Sequence, residues 1–205
     1  MEYWKMSHVE TLEYYNTNAI NFVHGTVDVD FHETQERFLT HIPPQGRILD
    51  FGCGSGRDSK YFCGKGYDVD AVDGSEELCK LAREYTGIHV KQMLFSDLDA
   101  VEEYDGIWAC ASILHLPSSE LKVVFLKMIK ALKNDGIIYA SFKYGKYEGV
   151  RKGRYFTDFT ETSFEKFISD IANVKTVEAW ITGDVRPGRG DEKWMNLILR
   201  KADIR

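Results

Sequence analysis

Cysteine is scarce and unpaired in this sequence. Cys53, Cys63, Cys79 and Cys110 are scattered through 205 residues, with no C-x-x-C spacing and no histidine at metal-ligand distance. The pattern argues against a disulfide framework and against a zinc or iron–sulfur site, so no metal is expected, and reduced thiols point to a cytoplasmic location. Proline is rarer than a linker would need, with four residues of which Pro43 and Pro44 are adjacent. No apolar run approaches the roughly 18 residues of a membrane crossing, and the opening MEYWKMSHVETLEYY contains no apolar stretch of signal-peptide type. No membrane partner is expected. Basic charge is also in deficit: 26 Lys and Arg stand against 32 Asp and Glu, a net charge of −6. Phosphate neutralisation needs a clustered positive field, so a dedicated nucleic-acid partner is disfavoured.

The 43% hydrophobic and 28% charged fractions suit one ordinary globular domain over 1–205, long enough to bury a core without staples. Residues 8–24 and 30–42 read as two helices, the second carrying Phe31, Phe38, Leu39 and Ile42 near helical spacing. They form an N-terminal cap over 1–45. From residue 46 to 145 strands and helices alternate: strands at 47–52, 68–73, 88–94, 104–111 and 136–144, with helices at 56–64, 75–86 and 118–133 between them. Such alternation makes a mostly parallel sheet covered on both faces. Residues 146–205 depart from it. A helix at 161–172 precedes two β-type runs, 174–182 and 193–201, joined by the turn GDVRPGRGDE, which predicts an antiparallel hairpin.

The sharpest signal is ILDFGCGSGRD, residues 48–58, in which a strand runs into Gly52, Gly54 and Gly56 and then a helix. Glycines there let a ligand touch backbone at the carboxyl end of a strand. The next strand ends in Asp73, 21 residues after Gly52, where a carboxylate can accept both hydroxyls of a ribose. A nucleoside ligand follows. The dinucleotide fingerprint would need glycine at position 57, which is Arg57, and Asp50 stands two residues before the first glycine, where it suits a cation better than a pyrophosphate.

Together DFGCGSG, VDAVDGS, FSDLD, YDGIWACASILHLP and ALKNDGIIYASFKYG resemble the class I S-adenosylmethionine-dependent methyltransferases, closest in outline to small-molecule enzymes of tellurite-resistance and thiopurine type. The resemblance implies a three-layer, Rossmann-like α/β fold with a seven-stranded sheet in the order 3-2-1-4-5-7-6 and an antiparallel last strand. It implies S-adenosyl-L-methionine as cofactor. It also implies roles: Gly52, Cys53 and Gly54 facing the methionine portion, Asp50 holding the loop and its cation, Asp73 on the ribose, Gly74 and Leu98 on the adenine, Asp97 on its amine, and the Ala109 carbonyl on the amino group.

For the acceptor, residues 109–114 read ACASIL, without the Asn/Asp-Pro-Pro-aromatic pattern of amine-methylating nucleic-acid enzymes. His115, just past the fourth strand, is the candidate general base. The stretch 143–156 carries Lys143, Lys146, Arg151, Lys152 and Arg154 against Glu148 alone, and reads as a loop that could clamp an anion. Tyr14, Lys143, Tyr144, Arg154 and Arg186 are the candidate acceptor-binding residues. Methyl transfer to a small-molecule acceptor, one that could be anionic or chalcogen-bearing, is the leading expectation. Methylation of RNA or protein, and a non-catalytic module that binds S-adenosylmethionine, stay open beside it.

Overall fold

A computed structural model describes residues 3–202, and side chains from Val9 onward. Strands β1 (Arg47–Phe51), β2 (Asp68–Asp73), β3 (Val90–Gln92), β4 (Tyr104–Ala109) and β5 (Leu132–Lys143) alternate with helices α3 (Arg57–Gly64), α4 (Glu76–Thr86) and α5 (Ser118–Ala131), after α1 (Tyr3–His24) and α2 (His32–Leu39). The hairpin β6 (Glu148–Arg151) and β7 (Arg154–Thr157), helix α6 (Glu161–Ser169), and strands β8 (Val174–Gly183) and β9 (Lys193–Lys201) complete the chain. The main sheet runs β3-β2-β1-β4-β5-β9-β8. This is the expected order once β6–β7 is set aside as a separate two-stranded sheet, and β9 is antiparallel to both β5 and β8.

The β6–β7 hairpin replaces the expected loop at 143–156. Arg151 pairs with Arg154, so the turn is the two residues Lys152 and Gly153, both at positive φ (51° and 73°). Two consecutive left-handed residues make the turn whose twist matches a hairpin, and Lys-Gly hides it because the usual Asn-Gly or Asp-Gly signal is missing.

Alternation along the strands splits the core between the two faces of the sheet. Leu49, Phe51, Ile107, Ile138 and Phe142 share one cluster with Phe125, Met128, Phe164 and Phe167. Ile48, Trp108, Tyr139 and Ile198 share another with Phe38 and Phe62 of α2 and α3. Trp108 lies stacked on Tyr139, ring centroids 3.9 Å apart. Among the described residues no helix is long and apolar enough to cross a membrane. These layers fix the carboxyl ends of β1, β2 and β4 side by side, and the site is built there.

Candidate active site

The chain leaves β1 through Gly52, whose φ of 90° suits glycine alone. A Cβ there would stand 2.4 Å from the Ser112 Cβ, so the turn is pressed against the exit of β4. The Gly52 and Cys53 amides both donate to the Val72 carbonyl at 2.9 Å, which ties the turn to β2. Asp73, the last residue of β2, closes the arrangement. Its Oδ2 accepts the Gly54 amide at 2.9 Å and its Oδ1 the Ser75 amide at 2.8 Å. Burial pushes its pKa up, and those backbone amides work against the shift. The carboxylate keeps lone-pair capacity for the cleft that Asp73 lines. Leu12, Leu78, Met93, Leu94 and Phe95 form the apolar wall beside it. A flat apolar ring and a pair of hydroxyls fit this crevice, as an adenosine requires.

Gly52, Cys53, Gly54, Asp73 and Gly74 thus come together on the cleft, and four other expected cofactor contacts do not. Leu98 is 3% exposed and packs in the core. Asp97 is exposed and accepts the Ser96 hydroxyl at 3.1 Å. In the short 3-10 turn Phe95–Asp97, Phe95 packs on Phe51 with ring centroids 4.8 Å apart. Phe95 and Ser96 line the cleft where Asp97 and Leu98 were expected. Ala109 is sealed at the end of β4, and Cys110 and Ala111 line the cleft in its place.

Asp50 lies behind the turn at 2% exposure, accepting the Ser59 hydroxyl at 2.5 Å. Burial, then the nearby Asp58 carboxylate, hold it well above the usual carboxylate range, so it is no ready counter-charge for a cation. A carboxyl whose pKa is raised by folding stabilises the protein below its ordinary value near 3.8 and loses that contribution as pH rises through its folded value. Thermal melts between pH 5 and 8.5 should therefore show the melting temperature of wild type falling more steeply with pH than that of Asp50→Asn. Equal slopes would refute the assignment.

Beyond the glycine turn the same cleft, about 1420 Å³ in all, opens into a polar lobe lined by Tyr15, His115, Lys143, Tyr144, Arg154 and Arg186. Tyr14 is outside the lining and stacks on Arg154 instead, 4.3 Å from guanidinium to ring centre. Two of the expected anion-binding cations are already neutralised. Lys143 is paired with Glu192 and lies 3.6 Å from Asp184. Arg186 grips Asp184 through Nε and Nη2 at 2.9 and 2.5 Å. Asp184 is held well below the usual carboxylate range although burial opposes it, because the Arg186 guanidinium and the Trp194 indole N–H donate to it. Tyr144 donates to Glu161 at 2.9 Å. Arg154 differs: among the described residues no carboxylate lies within ion-pair distance of it, and its Nε is buried without a hydrogen-bond partner.

His115 is not free to act as an isolated base. Its Nδ1 is 2.6 Å from the Tyr155 carbonyl oxygen and its Nε2 2.7 Å from the Tyr15 hydroxyl. Burial, reinforced by Arg154 and Arg151, lowers its pKa to about 4 against the help of the Tyr155 carbonyl, so the ring is neutral at pH 7. Tyr15, and not the expected Tyr14, lines this lobe. Residues that sequence reasoning missed entirely are Phe22, which covers Gly54 so closely that a Cβ there would meet it at 3.0 Å, and Phe95.

The methyltransferase-domain family matches residues 48–136. The Bacillus subtilis protein YqeM, named as a methyltransferase, is 30% identical over 114 residues, 50% of this chain and 46% of that one. The 2-methyl-6-phytyl-1,4-hydroquinone methyltransferase of Synechocystis is 27% identical over 147 residues, 67% of this chain and 45% of that one. In these alignments the chain spans about half the length of each of the two curated relatives. Among solved structures, the Burkholderia thailandensis 1,6-didemethyltoxoflavin-N1-methyltransferase, with 1,6-didemethyltoxoflavin and S-adenosylhomocysteine bound, superposes with a TM-score of 0.81 at 20% identity, covering 99% of this chain and 92% of that one. With the glycine turn, Asp73 and the sheet order in place, residues 48–136 match a methyltransferase domain and the chain has the class I methyltransferase fold.

Proposed function

We propose that this protein transfers a methyl group from S-adenosylmethionine to a small acceptor that carries an anionic or strongly polar oxygen. The observation that carries the reading is the continuity of one cleft, from the Gly52–Gly54 turn and Asp73 to a lobe whose cation Arg154 has no carboxylate of its own among the described residues. When bound, the cofactor supplies an electrophilic methyl group on a sulfonium. The protein's residues then need to hold the acceptor in line, keep water out and manage its proton. Asp73 and the turn amides fix one partner, and Arg154 with Tyr15 and His115 receives the other. Helix α1 roofs the cleft, held down where the Tyr155 amide donates to the Thr11 hydroxyl at 3.1 Å and the Ser75 hydroxyl to Asn16 at 2.7 Å. A roofed lobe favours a small molecule over a polymer. The surroundings of the basic stretch favour it too, since Lys143 pairs with Glu192, and Arg151 with Asp158 at 2.7 Å, so two of its five cations are already matched by carboxylates.

Tritiated methyl transfer into a cell extract fractionated by size tests the reading, with label expected in the small-molecule fraction. Label in RNA or protein alone would overturn it. Arg154→Gln removes one charge-assisted contact and is expected to raise the acceptor KM about 10- to 100-fold, with S-adenosylhomocysteine affinity unchanged in calorimetry. An unchanged KM would remove Arg154 from the acceptor site.

A further inference from the structure

The hydrogen bonds around His115 determine which atom of the polar lobe can receive a proton. A carbonyl oxygen can only accept, so the 2.6 Å contact with Tyr155 requires the proton of the neutral ring to sit on Nδ1. Nε2 then offers a lone pair, and the Tyr15 hydroxyl 2.7 Å away must donate to it. The phenol itself stays protonated, because burial raises its pKa more than Arg154 lowers it. With its hydrogen spent on His115, Tyr15 Oη faces the cleft as an acceptor only. Arg154 Nη1 donates to it at 3.4 Å, which leaves one lone pair on Oη and the second Nη1 hydrogen for a ligand. Tyr15 lines the same cleft as Asp73, Arg154 and Arg186.

A ligand that satisfies both atoms must present a donor X–H and an acceptor oxygen about as close together as Tyr15 Oη and Arg154 Nη1, as in the H–N–C=O unit of a lactam or its vinylogue, the H–O–C=C–C=O of an enolised dicarbonyl. We propose that Tyr15 takes the proton of the methyl acceptor while passing its own to His115, and that with Arg154 it selects acceptors in which an acidic N–H or O–H lies beside a carbonyl oxygen. This rests on the methyl-transfer reading above. In the step, X forms a bond to the methyl carbon as the carbon–sulfur bond breaks, its electron pair remaining on sulfur. The X–H proton moves to Tyr15 Oη, the Tyr15 proton moves to His115 Nε2, and the resulting imidazolium returns a proton to solvent after product leaves.

The surroundings of His115 sharpen the choice of X–H. Arg154 and Arg151 both disfavour the imidazolium, so the relay cannot drive deprotonation of a weak acid. An alkyl hydroxyl, about as weak an acid as water near 15.7, is out of reach of an imidazole at about 4 by roughly twelve powers of ten. A free alkylamine carries a positive charge at neutral pH and is repelled by Arg154. An N–H or O–H acidified by its neighbouring carbonyl starts several powers of ten closer to the relay, its developing charge rests on Arg154, and it brings no positive charge of its own.

The test pairs variants with defined probes. Purified full-length protein is given tritiated S-adenosylmethionine with 2-pyridone or 4-hydroxycoumarin, with benzyl alcohol or benzylamine, and with the small-molecule fraction of a cell extract. Label is expected in 2-pyridone or 4-hydroxycoumarin and in neither of the other pure compounds. Tyr15→Phe keeps the ring that packs on Phe22, 5.3 Å between centroids, and is expected to lower kcat at least 100-fold with S-adenosylhomocysteine affinity within twofold. His115→Asn keeps a donor near the position of Nδ1 and removes Nε2, so its effect should fall on kcat with the acceptor KM within about threefold. Nitrogen-15 NMR of wild type at pH 7 should show His115 protonated on Nδ1. Undiminished kcat in Tyr15→Phe, an Nε2-protonated ring, or label in benzyl alcohol, in benzylamine or in extract compounds but in neither acid would overturn the proposal. Label in no acceptor at all would instead overturn the methyl-transfer reading on which it rests.

Discussion

Asp73→Ala is expected to weaken S-adenosylhomocysteine binding at least 100-fold in calorimetry, with the melting temperature of the free protein changed far less than its affinity. The carboxylate does two things at once. Toward the protein it holds the Gly54 and Ser75 amides at 2.9 and 2.8 Å, which sets the shape of the glycine turn. Toward the cleft it offers its remaining lone pairs to the hydroxyls of a nucleoside. Two charge-assisted hydrogen bonds are worth about 1.5–3 kcal/mol each, which converts to roughly two to four orders of magnitude in affinity. Asp73→Asn separates the two roles. An amide supplies one acceptor oxygen for the two backbone donors, and its NH₂ faces whichever partner is left, so this near-isosteric variant should also lose at least tenfold. If Asp73→Ala binds like wild type, the crevice at the end of β2 is not the nucleoside site.

The features legible in the sequence are those fixed by local chemistry. The β1–glycine–α3 turn and the acid at the end of β2 rest on strand periodicity and on positive φ, both of which act over a few residues. The terminal hairpin β8–β9 was equally plain from two β-type runs around a Gly- and Pro-containing turn. What escaped depends on contacts between distant segments. Whether Phe95 or Asp97 turns into the cleft is decided by the Phe51 ring, 44 positions earlier in the chain. Tyr14 and Tyr15 are neighbours on α1 and point about 100° apart. Only the docking of α1 on β7 and on the His115 segment selects Tyr15 for the lobe. The charge count of 143–156 likewise gives no hint that Lys143 is spent on Glu192 or that Arg151 is spent on Asp158. Arg154 stands out only after those pairings are known.

The second large effect is expected at a position that reads in sequence as a helix-opening acid. Asp58 is 7% exposed and is the hub of a buried network. Its carboxylate accepts Arg57 Nε and Nη2 at 2.8 and 2.9 Å, Gln35 Nε2 at 2.6 Å and the Trp108 indole at 2.8 Å. Burial raises its pKa, but Arg57 and these donors outweigh burial and hold it below the usual range. It joins α2, α3 and β4 at a single point. Asp58→Ala would leave the largely buried Arg57 guanidinium, and with it the buried Gln35 amide and Trp108 N–H, without their carboxylate partner. Breaking a buried ion pair from one side costs about 3–5 kcal/mol, and a chain of this length loses about 2–4 °C of melting temperature per kcal/mol. A fall on the order of 10 °C is therefore expected. Removing both charges should be gentler, because the cost comes from the abandoned cation more than from the lost bonds. The double variant Arg57→Met with Asp58→Leu leaves only Gln35 and Trp108 without a partner, and it should melt above Asp58→Ala. A single variant that melts within 2 °C of wild type, or a double variant less stable than the single, would show that Asp58 does not hold these three elements together.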